Sequence, residues 1–221
     1  MSTPIEEKSV LVVDDHPIIR EGIASLLQSD PSIRVCCQVG TAAAAADCIE
    51  RRQPKLVVTD VSLPDRNGIE LIRDTLARFP NILFLVVSMH DETLYAERVL
   101  RAGAKGYIMK EAASDELMDA VKTVMEGDLY VSPQMASILL KRLSGDRKEE
   151  RSSESSILQV LSDRELQVFE LVGRALSNQA IADKLGISAR TVDAHKTRIK
   201  EKLNLPDNNA LLRFAVQWLE S

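Results

Sequence analysis

The 221-residue sequence has few aromatic residues, few cysteines and no long apolar segment. Aromatic residues make up 4% of the chain, so it offers no stacking platform of the kind that binds single-stranded nucleic acid. The longest apolar run in a strand-like context is Ile82 to Val87, far short of the roughly 20 residues that cross a bilayer. Residues 1–8 lack the apolar core of a secretory signal. We therefore expect no membrane partner and a cytoplasmic location.

The three cysteines and three histidines do not form a recognisable ligand motif. Cys36 and Cys37 are adjacent, and the odd count lacks the spacing of a zinc site or of a disulfide framework. His16, His90 and His195 lie far apart in the sequence. We expect the cysteines to be small core residues and the histidines to be structural.

The chain is expected to form two parts joined by a linker. Its composition, 45% hydrophobic and 28% charged, is typical of a globular protein with a substantial core. Segment 144–156 contains no apolar residue and cannot build a core, so it predicts a linker. The acidic excess lies before this linker, which favours different partners for the two parts. The expected boundaries are 8–127 for the first domain, 128–156 for a short helix and flexible linker, and 157–221 for the second domain.

Short apolar runs alternate with amphipathic segments in the first part. The predicted strands are Ser9–Val13, Ile33–Val39, Lys55–Thr59, Ile82–Val87 and Ala104–Met109. The predicted helices cover 17–29, 41–52, 68–79, 91–102 and 114–126, followed by a short helix over Pro133–Leu143. Thr41 and Ser114 are candidate N-caps. Five consecutive strand–helix units with right-handed crossovers predict an α/β fold with a five-stranded, doubly wound parallel sheet.

Polar residues close the predicted strands at the edge where open parallel sheets bind ligands. Asp14 and Asp15 follow the first strand, Asp60 the third, Ser88 the fourth and Lys110 the fifth. Three carboxylates brought together repel one another unless a cation neutralises them, and an all-oxygen site suits Mg²⁺. One carboxylate beside such a metal can attack phosphorus while a lysine draws charge from the phosphoryl oxygens.

Four motifs in this region resemble the receiver domain of two-component response regulators. They are V-V-D-D-H-P at 12–17, T-D-V-S-L-P-D-R-N-G at 59–68, S-M-H at 88–90 and G-Y-I-M-K at 106–110. The resemblance implies a flavodoxin-like receiver fold. Lys110 is followed by Glu111-Ala112 instead of the proline found in many receivers, a form similar to the NarL/FixJ branch.

The resemblance also assigns roles to residues of this site. It implies that Asp60 is the phosphoacceptor and that Ser88 and Lys110 contact the phosphoryl group. It implies that Tyr107 changes rotamer when Ser88 moves, although an aromatic residue within a strand can also be simple packing. The implied Mg²⁺ ligands are Asp14, Asp15, Asp60 and the backbone carbonyl of Ser62.

The sequence after the linker predicts four short helices and no strand. The helix-boundary signals are a capping box at Ser162 to Glu165, candidate N-caps at Ser177 and Ser188, and a candidate C-cap at Gly186. Asn178–Leu185 and the helix that follows Ser188 flank a tight turn, which predicts a helix-turn-helix. The first and last of the four helices are expected near 163–176 and 207–219.

The second helix of the helix-turn-helix has a surface that suits a DNA major groove. Its core-facing residues, Val192, His195, Ile199 and Leu203, recur at helical spacing. The opposite face carries small or hydrogen-bonding side chains between two cationic flanks, as base edges and phosphate walls require. The candidate base contacts are Asp193, Ala194 and Thr197, the candidate phosphate contacts are Lys196, Arg198, Lys200 and Lys202, and Arg190 and Thr191 are further candidates at the start of the helix. A merely solvated charged helix is the alternative.

Three motifs in this part are similar to the LuxR-type DNA-binding domain: L-S-D-R-E at 161–165, L-S-N-Q-A-I-A-D-K-L-G-I-S at 176–188, and T-V-D-A-H-K-T-R-I-K-E-K-L at 191–203. Gln179 and Asp193 stand where more basic residues are frequent, and both lower the positive potential at the DNA. The resemblance implies that the last helix supports dimerisation, with core packing of the same apolar residues as the alternative.

Together the two resemblances imply a NarL/FixJ-type response regulator. A sensor histidine kinase is expected to phosphorylate Asp60, and a homodimer is expected to bind double-stranded promoter DNA. The chain is not expected to be an enzyme beyond assisting phosphoryl transfer to Asp60 and hydrolysis from it. A Mg²⁺-dependent phosphohydrolase is a weaker hypothesis because Ser62 replaces the second carboxylate of an Asp-x-Asp pair. A receiver that acts only as a structural module is the third.

Overall fold

The computed structural model describes residues 8–143 and 160–220. The chain divides into two compact units, 1–141 and 142–221. The predicted linker, 144–156, lies outside the described residues. Within those residues, no helix combines the length and apolarity needed to span a membrane.

The first unit is a five-stranded parallel sheet, as the alternation of apolar runs and helices predicted. The strands are β1 (Lys8–Val13), β2 (Ile33–Val39), β3 (Leu56–Thr59), β4 (Leu83–Ser88) and β5 (Gly106–Met109). They lie in the sheet in the order β2-β1-β3-β4-β5. The helices are α1 (Pro17–Gln28), α2 (Ala42–Arg52), α3 (Gly68–Arg78), α4 (Glu92–Arg101), α5 (Ala113–Met125) and α6 (Pro133–Leu143). The predicted Pro133–Leu143 helix is confirmed, and nearly all of it lies in the first unit.

The core of the first unit explains why its central strands are continuous apolar runs. Val10, Val12, Leu56 and Val58 are essentially inaccessible to solvent. One core cluster packs these strands against apolar residues of α1 and α5. Full burial of each such side chain stabilises the fold by about 1.5–3 kcal/mol. Because helices cover both faces of the sheet, the strands have no solvent-facing side that would require alternating polar residues.

The start of α5 differs from the sequence prediction. Thr41 caps α2 as expected, since its hydroxyl accepts from the backbone N–H of Ala44. Ser114 does not cap α5. A 3-10 turn over Lys110–Ala112 already curves the chain after β5, so the helix begins at Ala113 and leaves Ser114 inside its first turn.

The cysteines also differ from the prediction of simple core residues. Cys37 of β2 and Cys48 of α2 are joined by a disulfide bond, and Cys36 is free. The two bonded residues are 11 positions apart. The strand-to-helix connection brings them together, which their spacing in the sequence did not indicate.

The second unit consists, within its described part, of four helices: α7 (Asp163–Gly173), α8 (Asn178–Leu185), α9 (Ala189–Leu203) and α10 (Asn208–Glu220). The capping box of α7 is confirmed, and Ser177 and Ser188 cap α8 and α9. Gly186 ends α8 with a φ of 62°, which glycine adopts without strain. Helix α7 ends three residues earlier than expected, at Gly173, where an added Cβ would lie 2.6 Å from the Ala215 carbonyl oxygen.

Helix α10 contributes to the core of this unit. The ring of Phe169 lies 5.8 Å from that of Phe214 and 5.6 Å from that of Trp218, measured between centroids. Much of the apolar surface that the resemblance associates with dimerisation therefore packs internally. Leu212 and Leu219 remain 37% and 39% exposed.

Candidate acidic site and nucleic-acid interface

The carboxyl ends of four neighbouring strands bring together the polar residues selected from the sequence. The Ser88 hydroxyl donates a hydrogen bond of 2.6 Å to Asp60 Oδ1. Lys110 Nζ lies 2.7 Å from Asp60 Oδ2 and 2.7 Å from Asp14 Oδ2. The side chains of Asp14, Asp60 and Lys110 are each less than 5% exposed. Both oxygens of Asp60 are therefore held by groups that can also bind a phosphoryl oxygen.

Two opposing effects act on the Lys110 ammonium. Burial by itself lowers the pKa of Lys110, because a charged group loses hydration. The charges of Asp60 and Asp14 and their hydrogen bonds to Lys110 outweigh burial and raise the pKa above its ordinary value. Lys110 is consequently a permanent cation at neutral pH.

The acidic cluster has the chemistry of a hard-cation site. Ligand atoms of Asp14, Asp15, Asp60 and His16 lie within 4.8 Å of one another. Three carboxylates outnumber the single positive charge of Lys110, and carboxylate oxygens are preferred ligands of Mg²⁺. Asp15 lies at the more exposed side of the cluster, and its Oδ1 is 2.7 Å from His16 Nδ1. The residues present fit a divalent ion such as Mg²⁺.

Two histidines that the sequence analysis assigned structural roles lie beside this site. His16 belongs to the acidic cluster. His90 Nε2 is 2.7 Å from the Ser62 hydroxyl, and the His90 ring lies 4.5 Å from that of Tyr95. Their separation in the sequence gave no sign of this, because only the pairing of β1, β3 and β4 brings the loops together. The motif S-M-H at 88–90 was the one available signal for His90.

Tyr107 is buried, with its ring inside the fold. Its side chain is 1% exposed, and its hydroxyl donates a hydrogen bond of 2.7 Å to the backbone carbonyl of His90. The Tyr107 hydroxyl thus contacts the loop that follows Ser88.

The loop between β3 and α3 is held by residues that the sequence analysis did not select. Asp65 accepts hydrogen bonds from the backbone N–H groups of Ala42 and Ala43, both at 2.9 Å, and so caps the first turn of α2. Asn67 caps α3 by accepting from Ile69 N–H. An isolated bridge joins Ser62 to Asn67. These contacts position the backbone on both sides of Asp60.

Close packing makes Gly68 part of this loop geometry. A Cβ at Gly68 would lie 2.1 Å from the carbonyl oxygen of Asp60, closer than real Cβ atoms approach any atom. The start of α3 is therefore packed directly against the backbone of the central carboxylate residue. The only sign of this close contact in the sequence was the glycine that follows Asn67 in the motif at 59–68.

In the second unit, α8, the turn at Gly186 and α9 form a helix-turn-helix. Val192 and Ile199 of α9 are fully buried, as the helical spacing predicted. His195 is partly buried, and its Nδ1 has no hydrogen-bond partner among the described residues. Burial lowers the pKa of His195, and the positive charges of Arg164 and Arg198 lower it further. His195 is therefore a neutral packing residue at pH 7.

The outer surface of α9 carries most of the candidate DNA contacts. Exposed candidates are Arg190, Thr191, Asp193, Ala194, Thr197, Arg198 and Lys202, and partly buried ones are Lys196 and Lys200. Asn178 of α8 donates to Asp193 and accepts from Lys196 Nζ at 3.0 Å, so both α9 side chains are tied to α8. Lys202 Nζ lies 2.6 Å from Glu165 Oε2. Its predicted phosphate contact therefore competes with an ion pair inside the unit.

The Glu165–Lys202 pair also affects the titration of Glu165. Burial raises the pKa of Glu165, but the hydrogen bonds from Lys202 and from Ser162 outweigh it and lower the pKa below the ordinary value. Glu165 consequently stays ionised at neutral pH and ties the start of α7 to the end of α9.

Comparison with known proteins identifies a family for each of the two parts of the chain. Residues 10–122 match the family described as response regulator receiver domain, and residues 159–215 match bacterial regulatory proteins of the luxR family. The oxygen regulatory protein NreC of Staphylococcus carnosus is 32% identical over 94% of this chain and 96% of its own length. The transcriptional regulatory protein DegU of Brevibacillus brevis is 34% identical over 90% and 88%.

A solved structure is similar to nearly the whole chain. RcsB from Salmonella enterica serovar Typhimurium, bound to promoter P1flhDC in the presence of phosphomimetic BeF3-, is 25% identical with a TM-score of 0.57, covering 95% of this chain and 99% of that one. The matches extend through both units of the chain. This protein therefore belongs to the NarL/FixJ-type response regulators, which regulate transcription through a receiver domain and a LuxR-type DNA-binding domain.

Proposed function

We propose that Asp60 accepts a phosphoryl group and that its phosphorylation controls binding of the second unit to promoter DNA. The observation that carries this proposal is the pair of contacts on one carboxylate: Ser88 on Asp60 Oδ1 and Lys110 on Asp60 Oδ2. The phosphodonor is a phosphohistidine of a sensor histidine kinase, as in the family. A carboxylate oxygen of Asp60 attacks phosphorus, the new P–O bond forms, and the P–N bond of the donor breaks.

The residues around Asp60 have separate tasks in this transfer. Asp14, Asp15, Asp60 and the Ser62 carbonyl would hold Mg²⁺, which would neutralise charge on the phosphoryl oxygens. Lys110, kept protonated by its acidic neighbours, supplies a positive charge 2.7 Å from Asp60 Oδ2. Ser88 exchanges its bond to Asp60 for one to a phosphoryl oxygen. The same residues assist hydrolysis from Asp60, and the protein turns over no other substrate.

Phosphorylation changes the charge of the pocket enough to bias two conformations. The acyl phosphate carries about −1.5 to −2 charges at neutral pH in place of the single negative charge of the Asp60 carboxylate, a net change of about −0.5 to −1, and it presents three acceptor oxygens. Movement of Ser88 toward it changes the loop that contains His90, whose carbonyl accepts from Tyr107. We therefore assign Tyr107 as the residue that carries the change to the surface near α4.

The second unit binds double-stranded DNA through α9. Asp193, Ala194 and Thr197 are the proposed base contacts, and the cationic residues on both flanks are the proposed phosphate contacts. The acidic Asp193 weakens the electrostatic attraction of a single copy, which supports binding as a homodimer on paired half-sites. Because the chromosome is the target, we place the protein in the cytoplasm, with domain boundaries near 8–127 and 157–221.

Phosphoryl gain measured by intact mass tests the proposal. Purified protein is incubated with acetyl phosphate with and without Mg²⁺, beside the Asp60→Asn variant and a beryllofluoride arm, and promoter binding is measured in parallel. We expect one phosphoryl group per chain, lost in Asp60→Asn and without metal, with tighter DNA binding afterwards. Catalytic turnover of a phosphate ester that depends on Asp60 would instead identify a phosphohydrolase. If Asp60→Asn binds promoter DNA with the same affinity as the wild type under all conditions, the receiver acts only as a structural module.

A further inference from the structure

Three sulfur atoms lie close together between β2 and α2 of the first unit, in a group that shares no residue with the acidic cluster. Cys37 and Cys48 form the disulfide bond, and the free Cys36 is adjacent to Cys37. The three Sγ atoms all lie within 4.8 Å of one another. Neither the phosphoryl-transfer mechanism nor the DNA-binding surface uses any of them.

A β-bulge brings the third sulfur to this position. Val10 of β1 pairs with Val35, but the next residue, Leu11, pairs with Cys37, so Cys36 is an extra residue in β2. In a regular strand, adjacent side chains project from opposite faces of the sheet. The extra residue interrupts this alternation, and the Cys36 sulfur joins the other two. The free thiol is thus placed by the backbone of β2, an edge strand of the sheet.

The three sulfurs differ in access to solvent. Cys48 is 3% exposed, whereas Cys36 and Cys37 are partly exposed. Burial raises the pKa of the Cys36 thiol, and the charges of Arg34 and Arg52 offset only part of this effect. Cys36 is therefore mainly a protonated thiol near neutral pH, and its reactive thiolate becomes more abundant as the pH rises.

We propose that Cys36, Cys37 and Cys48 form a reversible thiol–disulfide site that is oxidised by small-molecule disulfides, with Cys36 as the entry thiol. A disulfide that only stabilises the fold needs Cys37 and Cys48 alone, and it gives no role to a free thiol close to both sulfurs. Exchange through a mixed disulfide needs an accessible thiol beside a second sulfur, and Cys36 is partly exposed and lies within 4.8 Å of both bonded sulfurs.

The proposed oxidation consists of three balanced exchange steps. The Cys36 thiolate attacks one sulfur of the small disulfide, a mixed disulfide forms on Cys36, and one small thiolate leaves and takes up a proton. The Cys48 thiolate then attacks the Cys36 sulfur, forming a Cys36–Cys48 bond and releasing the second small thiol. Finally, the Cys37 thiolate attacks the Cys48 sulfur, and Cys36 leaves as a thiolate that is reprotonated. Two protein thiols are oxidised and one small disulfide is reduced to two thiols.

The test uses the full-length chain and oxidised glutathione as the probe. The chain is reduced, freed of reductant, oxidised, trapped by alkylation at successive times and analysed by peptide mass. We expect the wild type to end with the Cys37–Cys48 bond, and with Cys36 outside it as an alkylated thiol or as a mixed disulfide with glutathione. Cys36→Ser should reach the same bond about tenfold more slowly, since its entry thiol is missing. Cys37→Ser should stop at the Cys36–Cys48 bond, and Cys48→Ser should stop at mixed disulfides.

Several results would overturn this proposal. A wild-type chain that stays fully reduced in excess oxidised glutathione would exclude a thiol–disulfide site. An unchanged closing rate in Cys36→Ser would exclude the entry role of Cys36. Retention of one Zn²⁺ per reduced chain, blocking oxidation, would identify a thiolate metal site instead. Phosphoryl gain from acetyl phosphate, measured on every variant, verifies the fold and separates this outcome from that of the proposed function.

Discussion

Replacing Gly68 with alanine should disturb the acidic site through the backbone of Asp60. The added Cβ would lie 2.1 Å from the Asp60 carbonyl oxygen and 3.1 Å from both the Asp60 carbonyl carbon and Val61 Cα. These are backbone atoms and cannot rotate away as a flexible side chain can. Reaching the shortest ordinary separation, 3.0 Å, requires a movement of nearly 1 Å. Either α3 or the Asp60 backbone must provide it.

Two effects of opposite sign determine the loss of stability. Alanine is favoured over glycine within a helix by about 0.5–1 kcal/mol. Overpacking a tightly packed position costs about 1–3 kcal/mol. We expect the free energy of unfolding to fall by about 1 kcal/mol, the difference between the midpoints of these ranges, and by at most about 2.5 kcal/mol. Misplacement of a reacting group by about 1 Å can slow a reaction by about 100-fold, so phosphoryl gain at Asp60 should slow far more than stability suggests.

The assay combines urea unfolding with a time course of phosphoryl gain from acetyl phosphate and Mg²⁺. Gly22→Ala is the matched control, because no atom lies within 4 Å of the added Cβ in α1. This control should keep the wild-type phosphoryl-transfer rate and gain up to about 1 kcal/mol of stability. A Gly68→Ala protein with the rate and stability of the wild type would refute the steric argument.

Three further predictions concern the second unit. Ser162→Ala should lower the free energy of unfolding by about 1 kcal/mol, because the capping box of α7 is lost. Chemical denaturation measures this change. The control Ser114→Ala removes no cap and should leave the free energy of unfolding nearly unchanged. Burial and two arginines lower the His195 pKa in the folded protein. Neutral His195 therefore contributes its whole stabilising effect above the unfolded pKa of about 6.5, and this contribution is lost as the pH falls through the folded pKa. His195→Gln should flatten this part of the stability–pH curve, and an unchanged slope would contradict the assignment. Asp193→Asn should raise DNA affinity by removing a negative charge from the α9 surface, as fluorescence anisotropy at several salt concentrations can measure; a loss confined to one base pair would instead show base recognition by the carboxylate.

Much of the acidic site could be predicted because it depends on a simple geometric rule. Carboxyl ends of parallel strands share one edge, so residues that close the apolar runs are neighbours whatever their sequence separation. Asp14, Asp60, Ser88 and Lys110 followed this rule: Ser88 and Lys110 contact Asp60, and Lys110 also contacts Asp14. Neighbours contributed by loops did not follow it. The capping of α2 by Asp65 joins residues more than twenty positions apart, through side chains that no periodicity marks.

The sequence by itself determined the order of strands and helices, most helix caps and the polar ends of the strands. These features depend on residues a few positions apart, whose apolar spacing and capping chemistry act locally. Only the tertiary structure decided which side chains come into contact. Examples are the cysteines brought together by the bulge in β2, the contact of His90 with Ser62, and the ion pair of Lys202 with Glu165. Such contacts depend on strand register and on helix packing to within a few ångströms. Residues that are neighbours in the sequence do not specify either of these.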